Sequence, residues 1–264
     1  MSIIFEYSTL YLIIMYKKNG IILYFDILGY KNIVTQENEN EKTFLRRILD
    51  NFSTQQCFLN FALSYGESFY KNKRKVFVRA FSDNFLHLYE CEDYSKCLNK
   101  NQQFVFYHNL KCMIGLASII QTQFLKSGIL TRGSITFGTI YYNHSLIFGE
   151  SIVRAVDLEN GHREPSILID KTITEKLKKD GFEVEEYCCP FFTHPDSFLD
   201  YNELINGVNK WLLSLQSQKI NDEKEKEKLL MKINWLLNEM SEYFSFENIK
   251  KYNVTDSFKL EIIG

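Results

Sequence analysis

Ile21-Ile22-Leu23-Tyr24-Phe25-Asp26-Ile27-Leu28-Gly29-Tyr30 is the stretch that decides the fold. A run of β-formers that is apolar except for one aspartate near its end, with a glycine just beyond, suits a buried central strand ending in a turn. A carboxylate at the end of such a strand is costly to bury unpaired, so Asp26 must face a cation or open onto a site. The competing reading makes it the N-cap of a helix that opens near Tyr30. Gly29 lets the chain turn sharply. The backbone N–H groups from Leu28 to Lys31 would then point toward an anion, which the dipole of the following helix favours.

Working outward, Leu45, Ile48, Leu49 and Phe52 recur at helical spacing and predict a helix over 45–65, and 71–75 reads as a basic turn. Val76–Phe81 and Phe85–Tyr89 are two β-rich runs around the polar tip Ser82-Asp83-Asn84, which predicts a hairpin. Taken singly, Asp83 is a turn residue. Taken with Asp26, it is the second of two aspartates on neighbouring strands. Such a pair can hold two divalent ions about 3.5–4 Å apart, the arrangement used for in-line attack at a phosphate. Phe104–Lys126 reads as a mostly buried helix ended by Gly128. Ile129–Tyr142, with Gly133 and Gly138, reads as a strand with close backbone approach. A helix over 150–160 capped by Gly161, a strand over 166–170 and a helix over 171–179 follow. The order is βα, a ββ hairpin, αβ, then helix and strand, which predicts an α+β sheet with helices on one face. Beyond Gly181 the character shifts: 210–215 and 228–246 read as helices, the alternating charges of 222–228 as a solvated helix face, and 257–263 as a final strand.

Composition narrows the function. The chain has 264 residues, 45% of them hydrophobic, with 31 Lys+Arg against 33 Asp+Glu. That excludes a disordered, collagen-like or small disulfide-stapled chain. The balanced charge argues against a general nucleic-acid binder but leaves room for a compact site for a phosphorylated ligand. Six cysteines without a C-x-x-C pair, Cys188 and Cys189 being adjacent, read as reduced thiols of a cytoplasmic protein. The apolar start, Ile3–Met15, is interrupted by Glu6, lacks a positive leading segment and is too short to span a bilayer. It is expected to be a leading edge strand or an upstream-start extension ahead of Met15, and no membrane span is expected elsewhere. No histidine has a companion at a metal-binding interval, and no phosphate-loop, nucleophile-elbow or zinc-helix motif occurs.

Four blocks then match one family in order and spacing. Phe25–Tyr30 (F-D-I-L-G-Y) resembles the metal-binding strand end of the class III nucleotidyl cyclases, and Phe81–Asn84 (F-S-D-N) resembles their hairpin, with Ser82 in place of the usual Gly. Thr131–Gly138 (T-R-G-S-I-T-F-G) and Phe148–Glu159 (F-G-E-S-I-V-R-A-V-D-L-E) resemble the later strand and the helix after it. The likeness covers roughly 21–170. The departures point to one branch. Arg79 stands where purine cyclases carry a base-reading Lys, and Leu146 stands where adenylate cyclases carry a hydrogen-bonding residue. The family's transition-state Asn and Arg fall on Val153 and Asp157. An apolar Leu146 cannot accept a hydrogen bond from the adenine amino group. This set of departures resembles the pyrimidine cyclases of the Pycsar anti-phage system, and the tail segments Lys232–Glu239 and Asp256–Ile262 are similar to ones found beside that cyclase type.

The resemblance implies a ferredoxin-like βαββαβ palm. It places an N-terminal extension over 1–20, the cyclase catalytic domain over 21–180 and a mainly helical extension over 181–264. The implied activity converts UTP, in preference to CTP, into the 3′,5′-cyclic monophosphate and pyrophosphate. Asp26 and Asp83 would hold two Mn²⁺ or Mg²⁺ ions, with the Ile27 carbonyl as a further ligand. Phe25, Ile27, Leu28, Gly29 and Tyr30 would line the nucleotide, with Arg79 near the base or triphosphate. Arg132 and Arg154 are candidate cations for the transition state, against a plain salt-bridge role for each. A homodimer with sites at the interface is implied, whose product activates a separate effector, a TIR or membrane protein. The alternatives are a purine cyclase, a palm-type polymerase making oligonucleotides, and a non-catalytic binding or sensor module.

Overall fold

The computed structural model describes residues 2–5, 13–29, 76–81, 83–97, 99–143, 146–189, 201–216 and 223–243. Its centre is β2 (Ile13–Ile27), which pairs on one side with β4 (Asn84–Glu90) and on the other with β5 (Thr131–Tyr142). With β3 (Val76–Phe81) outside β4, the order β3-β4-β2-β5 is antiparallel at every junction. That is the strand arrangement of a ferredoxin-like palm, and the α+β class follows directly from it. Beyond β5 lie β7 (Ile167–Ile169), parallel to it, and β8 (Tyr187–Cys188). Two short strands complete the sheet: β1 (Ser2–Phe5) on the start of β2, and β6 (Ile147–Phe148) on the end of β5.

The central strand begins at Ile13 rather than Ile21. The polar stretch Lys17-Lys18-Asn19-Gly20 gives no strand signal of its own, yet it is held on one edge by 138–141 of β5. β1 pairs just before it, Ser2 opposite Tyr16, as a leading edge strand should. The hairpin is tighter than its polar tip suggests, since Phe81 pairs directly with Asn84.

Strand alternation sends Ile21, Leu23, Phe25 and Ile27 to one face of the sheet, where they are fully or almost fully buried. They meet α1 (Lys100–Lys126), whose Phe106, Leu110, Ile114, Ala117, Ile120 and Phe124 fall on the inward side at helical spacing. The Asn99 side chain caps α1 by accepting from the Gln102 N–H at 3.0 Å. α3 (Lys171–Lys179) adds Ile173 and Leu177 to the same core.

Helices lie on both faces, which corrects the one-faced expectation. α2 (Glu150–Gly161) covers the opposite side, where Ile152 packs with Ile22, Leu86, Leu88 and Ile140. Its register is pinned by the Ser134 hydroxyl donating to the Ala155 carbonyl (2.7 Å) and the Thr136 hydroxyl donating to that of Ser151 (2.9 Å). Small hydroxyl residues at alternate positions of β5 let the helix come close, a signal that the apolar pattern alone does not carry. Gly161 closes α2 as a helical residue, and the cap falls on His162.

A second core closes the end of the sheet where β2 stops and β5 starts. Leu28, Leu125 and Leu130 pack there against α4 (Tyr201–Gln216) and α5 (Glu223–Tyr243). Both helices start earlier than expected: α5 opens on a charged run, and α4 carries Gly207 among the buried Leu204, Ile205 and Val208. The expected helix over 45–65, the basic turn over 71–75 and the strand over 257–263 lie outside the described residues. Among the described residues no helix is long and apolar enough to cross a membrane.

Candidate active site

The site forms where β2, β4 and β5 end together on the α2 side of the sheet. Asp26 pairs in register with Asn84 on one side and Arg132 on the other. The Ile27 N–H donates to the Asp83 carbonyl at 3.0 Å, so the hairpin turn is stitched to the end of β2. The Asp83 carboxylate accepts from the Asn84 side chain (3.0 Å), and Asn84 in turn accepts from the Tyr24 hydroxyl. Tyr24 and Asp26 are two apart on one strand and share a face. Both aspartates therefore belong to one electrostatic cluster, distant in sequence and adjacent in space.

Two further side chains complete the cluster. Arg132 pairs with Asp26 (3.4 Å) and with Glu159 of α2, and donates to the His162 carbonyl at 2.9 Å. Glu159 is buried, on the inward stripe of α2 with Ser151 and Ala155. Two carboxylates thus share one guanidinium, and Asp83 acts on the first of them, Asp26. Gly133, next to Arg132, lets β5 approach β2: a Cβ there would lie 2.1 Å from the Tyr24 carbonyl oxygen. The turn beyond Ile27 needs Gly29, whose φ is 76°, a conformation that L side chains rarely adopt.

The protonation pattern is that of an acidic cluster short of cations. Burial raises the Asp26 carboxyl, with Asp83 adding to the rise and Arg132 opposing it. Burial raises Glu159 as well, with Asp26 adding to it. The Tyr24 hydroxyl is pushed up to about 12, first by burial and then by Glu159, Asp26 and Asp83. Asp26 Oδ1 is buried and has no hydrogen-bond partner among the described residues. An orphaned carboxylate oxygen in an electronegative corner fits a divalent cation. Among the described residues no three acidic, histidine or cysteine side chains form a ready-made metal cage, so a main-chain carbonyl such as that of Ile27 and the substrate would have to supply further ligands.

No protein-family model and no curated protein matches the chain. Among solved structures it resembles the catalytic core of a rhodopsin-guanylyl cyclase with converted specificity in complex with ATPαS, at 12% identity over 62% of this chain and 83% of that one, TM-score 0.42. It also resembles the guanylyl cyclase Cya2, at 13% identity over 64% and 82%, TM-score 0.41. A third is a class III adenylyl cyclase-like ATP-binding protein from Pseudomonas aeruginosa, at 15% identity over 74% of this chain but 41% of that one, TM-score 0.39. Likenesses of this size assign nothing to individual residues.

The remaining expected site residues divide. The side chains of Phe25 and Ile27 point to the α1 face and are fully or almost fully buried, so only their backbone can reach a nucleotide. Leu28 is buried against α4 and α5. Arg79 lies on β3 opposite Leu86, and Tyr30 is outside the described residues. Arg154 is held elsewhere, by Asp170 at 2.6 Å and by the Phe137 carbonyl, five residues along β5 from Arg132. Leu146 and Val153 are exposed, at 53% and 61%. Asp157, one helical turn after Val153, is exposed too. Glu159 and Tyr24 escaped the sequence reading. A carboxylate at the third position of a Ser151–Ala155–Glu159 stripe, each four apart, was the available signal for Glu159. Lys232 of α5, also missed, lies close enough for its charge to oppose the rise of the Asp26 carboxyl.

Proposed function

We propose that the chain is a nucleotidyl cyclase of the class III type acting on a pyrimidine ribonucleoside triphosphate, UTP in preference to CTP. The observation that carries the reading is the convergence of Asp26 and Asp83 at adjacent strand ends, with Asp26 Oδ1 left without a partner. Asp26, Asp83 and the Ile27 carbonyl would hold the Mn²⁺ or Mg²⁺ ions. Bound there, such ions supply charge neutralisation for the triphosphate and acidify the ribose 3′-hydroxyl.

The protein's own groups do the rest. Asn84, which accepts from Tyr24, holds the Asp83 carboxylate by donating to it. Arg132 pairs with both Asp26 and Glu159, and its guanidinium would be shared with a phosphate if cations relieved the acids. The Leu28 N–H is taken by the Leu130 carbonyl at 2.9 Å, so backbone N–H groups for phosphate oxygens would have to come from Gly29 onward. Leu146 removes one hydrogen-bond acceptor for adenine, which supports the pyrimidine preference. The exposed apolar residues Leu146, Phe148 and Val153 suit a twofold partner, and the cyclic product would serve as a messenger to a TIR or membrane effector in anti-phage defence.

Incubation of the protein with each of the four NTPs and Mn²⁺, with products read by mass spectrometry, tests the reading. A 3′,5′-cyclic pyrimidine monophosphate is expected. Cyclisation of ATP or GTP alone overturns the pyrimidine assignment, linear oligomers point to a polymerase, and unchanged NTPs point to a non-catalytic binding module.

A further inference from the structure

Outside the aspartate cluster, α5 carries a row of lysines that leads from its solvated face to a half-buried end. Lys224, Lys228 and Lys232 follow one another at intervals of four along α5 and so form a row on one side of it. Like charges at that spacing cost a helix a few tenths of a kcal/mol per pair. The row starts at exposed Lys224 and Lys228 and ends at Lys232, which is half-buried. The position of that end is fixed by packing. Ile233 and Leu236 lie in one apolar cluster with Leu28, two residues after Asp26, and Leu130, two residues before Arg132. The Leu28 N–H donates to the Leu130 carbonyl at 2.9 Å, so the two strand ends and α5 meet at one point. α4 anchors the assembly: a Cβ on Gly207 would lie 1.9 Å from the Leu125 carbonyl oxygen, and Lys126 pairs with Glu203 at 2.6 Å.

We propose that α5 is a phosphate-binding arm of the active site, with Lys232 contacting the triphosphate of the bound nucleotide and Lys224 and Lys228 guiding it in. The inference rests on the cyclase reading above. Among the described residues Lys232 makes no ion pair within 4 Å, yet it feels both Asp26 and Arg132. Burial and the nearby guanidinium lower its pKa, and Asp26 opposes them. A lysine serving only to neutralise the acids would be expected to close onto one of them, as Arg132 does. With cations on Asp26 and Asp83, Arg132 and Lys232 would leave the site in positive excess, and a triphosphate is the ligand that balances it.

The test uses the full chain and the non-cyclisable 3′-deoxy forms of the four NTPs with Mn²⁺, followed by the 3′-deoxy monophosphate of whichever base binds best. Lys232→Gln should weaken the triphosphate about 10- to 100-fold, the loss of one charge-assisted contact. It should leave the monophosphate within about threefold, and Lys232→Arg should restore most of the triphosphate affinity. A folded Lys232→Gln protein that binds the triphosphate like wild type overturns the arm and leaves the cyclase reading standing. Failure of the wild type to bind any of the four overturns both. If Lys232→Gln does not fold, Lys224→Gln/Lys228→Gln decides: its association rate should fall and depend less on salt, and an unchanged rate and salt dependence overturns the proposal.

Discussion

Phe25 and Asp26 are consecutive in the chain and live in different solvents. Phe25 faces α1, stacks on Phe85 at a centroid distance of 4.9 Å and meets Phe124 edge-on at 6.2 Å. Asp26 faces the α2 side among Asp83, Glu159, Tyr24 and Arg132. Each face also carries a titratable group displaced from its ordinary range, and the displacements have different companions. On the α1 face His87 is wholly buried beside Phe25, and burial alone holds it down at about 3. On the α2 face burial acts together with neighbouring charges. The strand's period of two thus separates a face that supplies stability from a face whose buried carboxylates are opposed by Arg132.

The sharpest way to break that comparison is to change one residue on each face. Asp83→Asn keeps the Asn84 contact and should cost about four orders of magnitude in cyclase turnover, roughly 5.5 kcal/mol of transition-state stabilisation. Its thermal midpoint without metal should stay close to that of wild type. An Asp83→Asn protein that cyclises at the wild-type rate ends the two-carboxylate scheme. Phe25→Ala should do the reverse, losing about 4 kcal/mol of stability by cavity formation. Turnover per folded molecule at low temperature should survive. Loss of turnover in the folded fraction would place Phe25 in the site and erase the distinction between the faces.

Much of this was legible in the sequence because the decisive strand ends carry local signals. The apolar run of β-formers over 21–27, the break at Gly29 and the polar tip Ser82-Asp83-Asn84 mark where both aspartates stand. The α2 face was not legible in the same way. Its helix is tied down by Ser134 and Thr136, small polar residues whose role depends on a backbone carbonyl from another element. Lys17–Gly20 became strand only through its neighbours on β5. Lys232 opens a tail segment whose resemblance says nothing of its place, and the packing of Leu28 and Leu130 against Ile233 and Leu236 brings it near Asp26. Local pattern reports which residues form an element; it does not report which end of which element they will close.

His87 sharpens the contrast at smaller scale. Neither ring nitrogen has a hydrogen-bond partner among the described residues, and the ring is neutral in the fold. A histidine whose folded pKa lies near 3 against an unfolded value of 6.5 is protonated preferentially by the unfolded chain. Stability is therefore complete above about pH 6.5 and is lost as pH falls toward 3, by about 1.4 kcal/mol per unit. The raised carboxyls of Asp26 and Glu159 act in the opposite sense in acid, so the informative measurement is a difference. Denaturant midpoints of wild type and His87→Leu should draw apart by about 2 kcal/mol between pH 6.5 and pH 5. Parallel midpoints would mean that the α1 face admits water.

The smallest effect tests the acidic face without using catalysis. If Asp26 and Asp83 bind divalent cations in the folded state only, Mn²⁺ or Mg²⁺ at ten times its dissociation constant should stabilise the protein by about 1.4 kcal/mol. For a chain of this length that is a rise of about 3–5 °C in the thermal midpoint. The rise should be larger at pH 8 than at pH 5, because the metal competes with the proton that burial and Asp83 favour on Asp26. Asp83→Asn should abolish most of it, while Phe25→Ala should keep it on top of a lower baseline. That pair of outcomes separates cation binding at the cluster from a general salt effect, which would raise every variant alike. A shift retained in full by Asp83→Asn would move the cation elsewhere and leave Asp26 and Glu159 as a structural pair around Arg132.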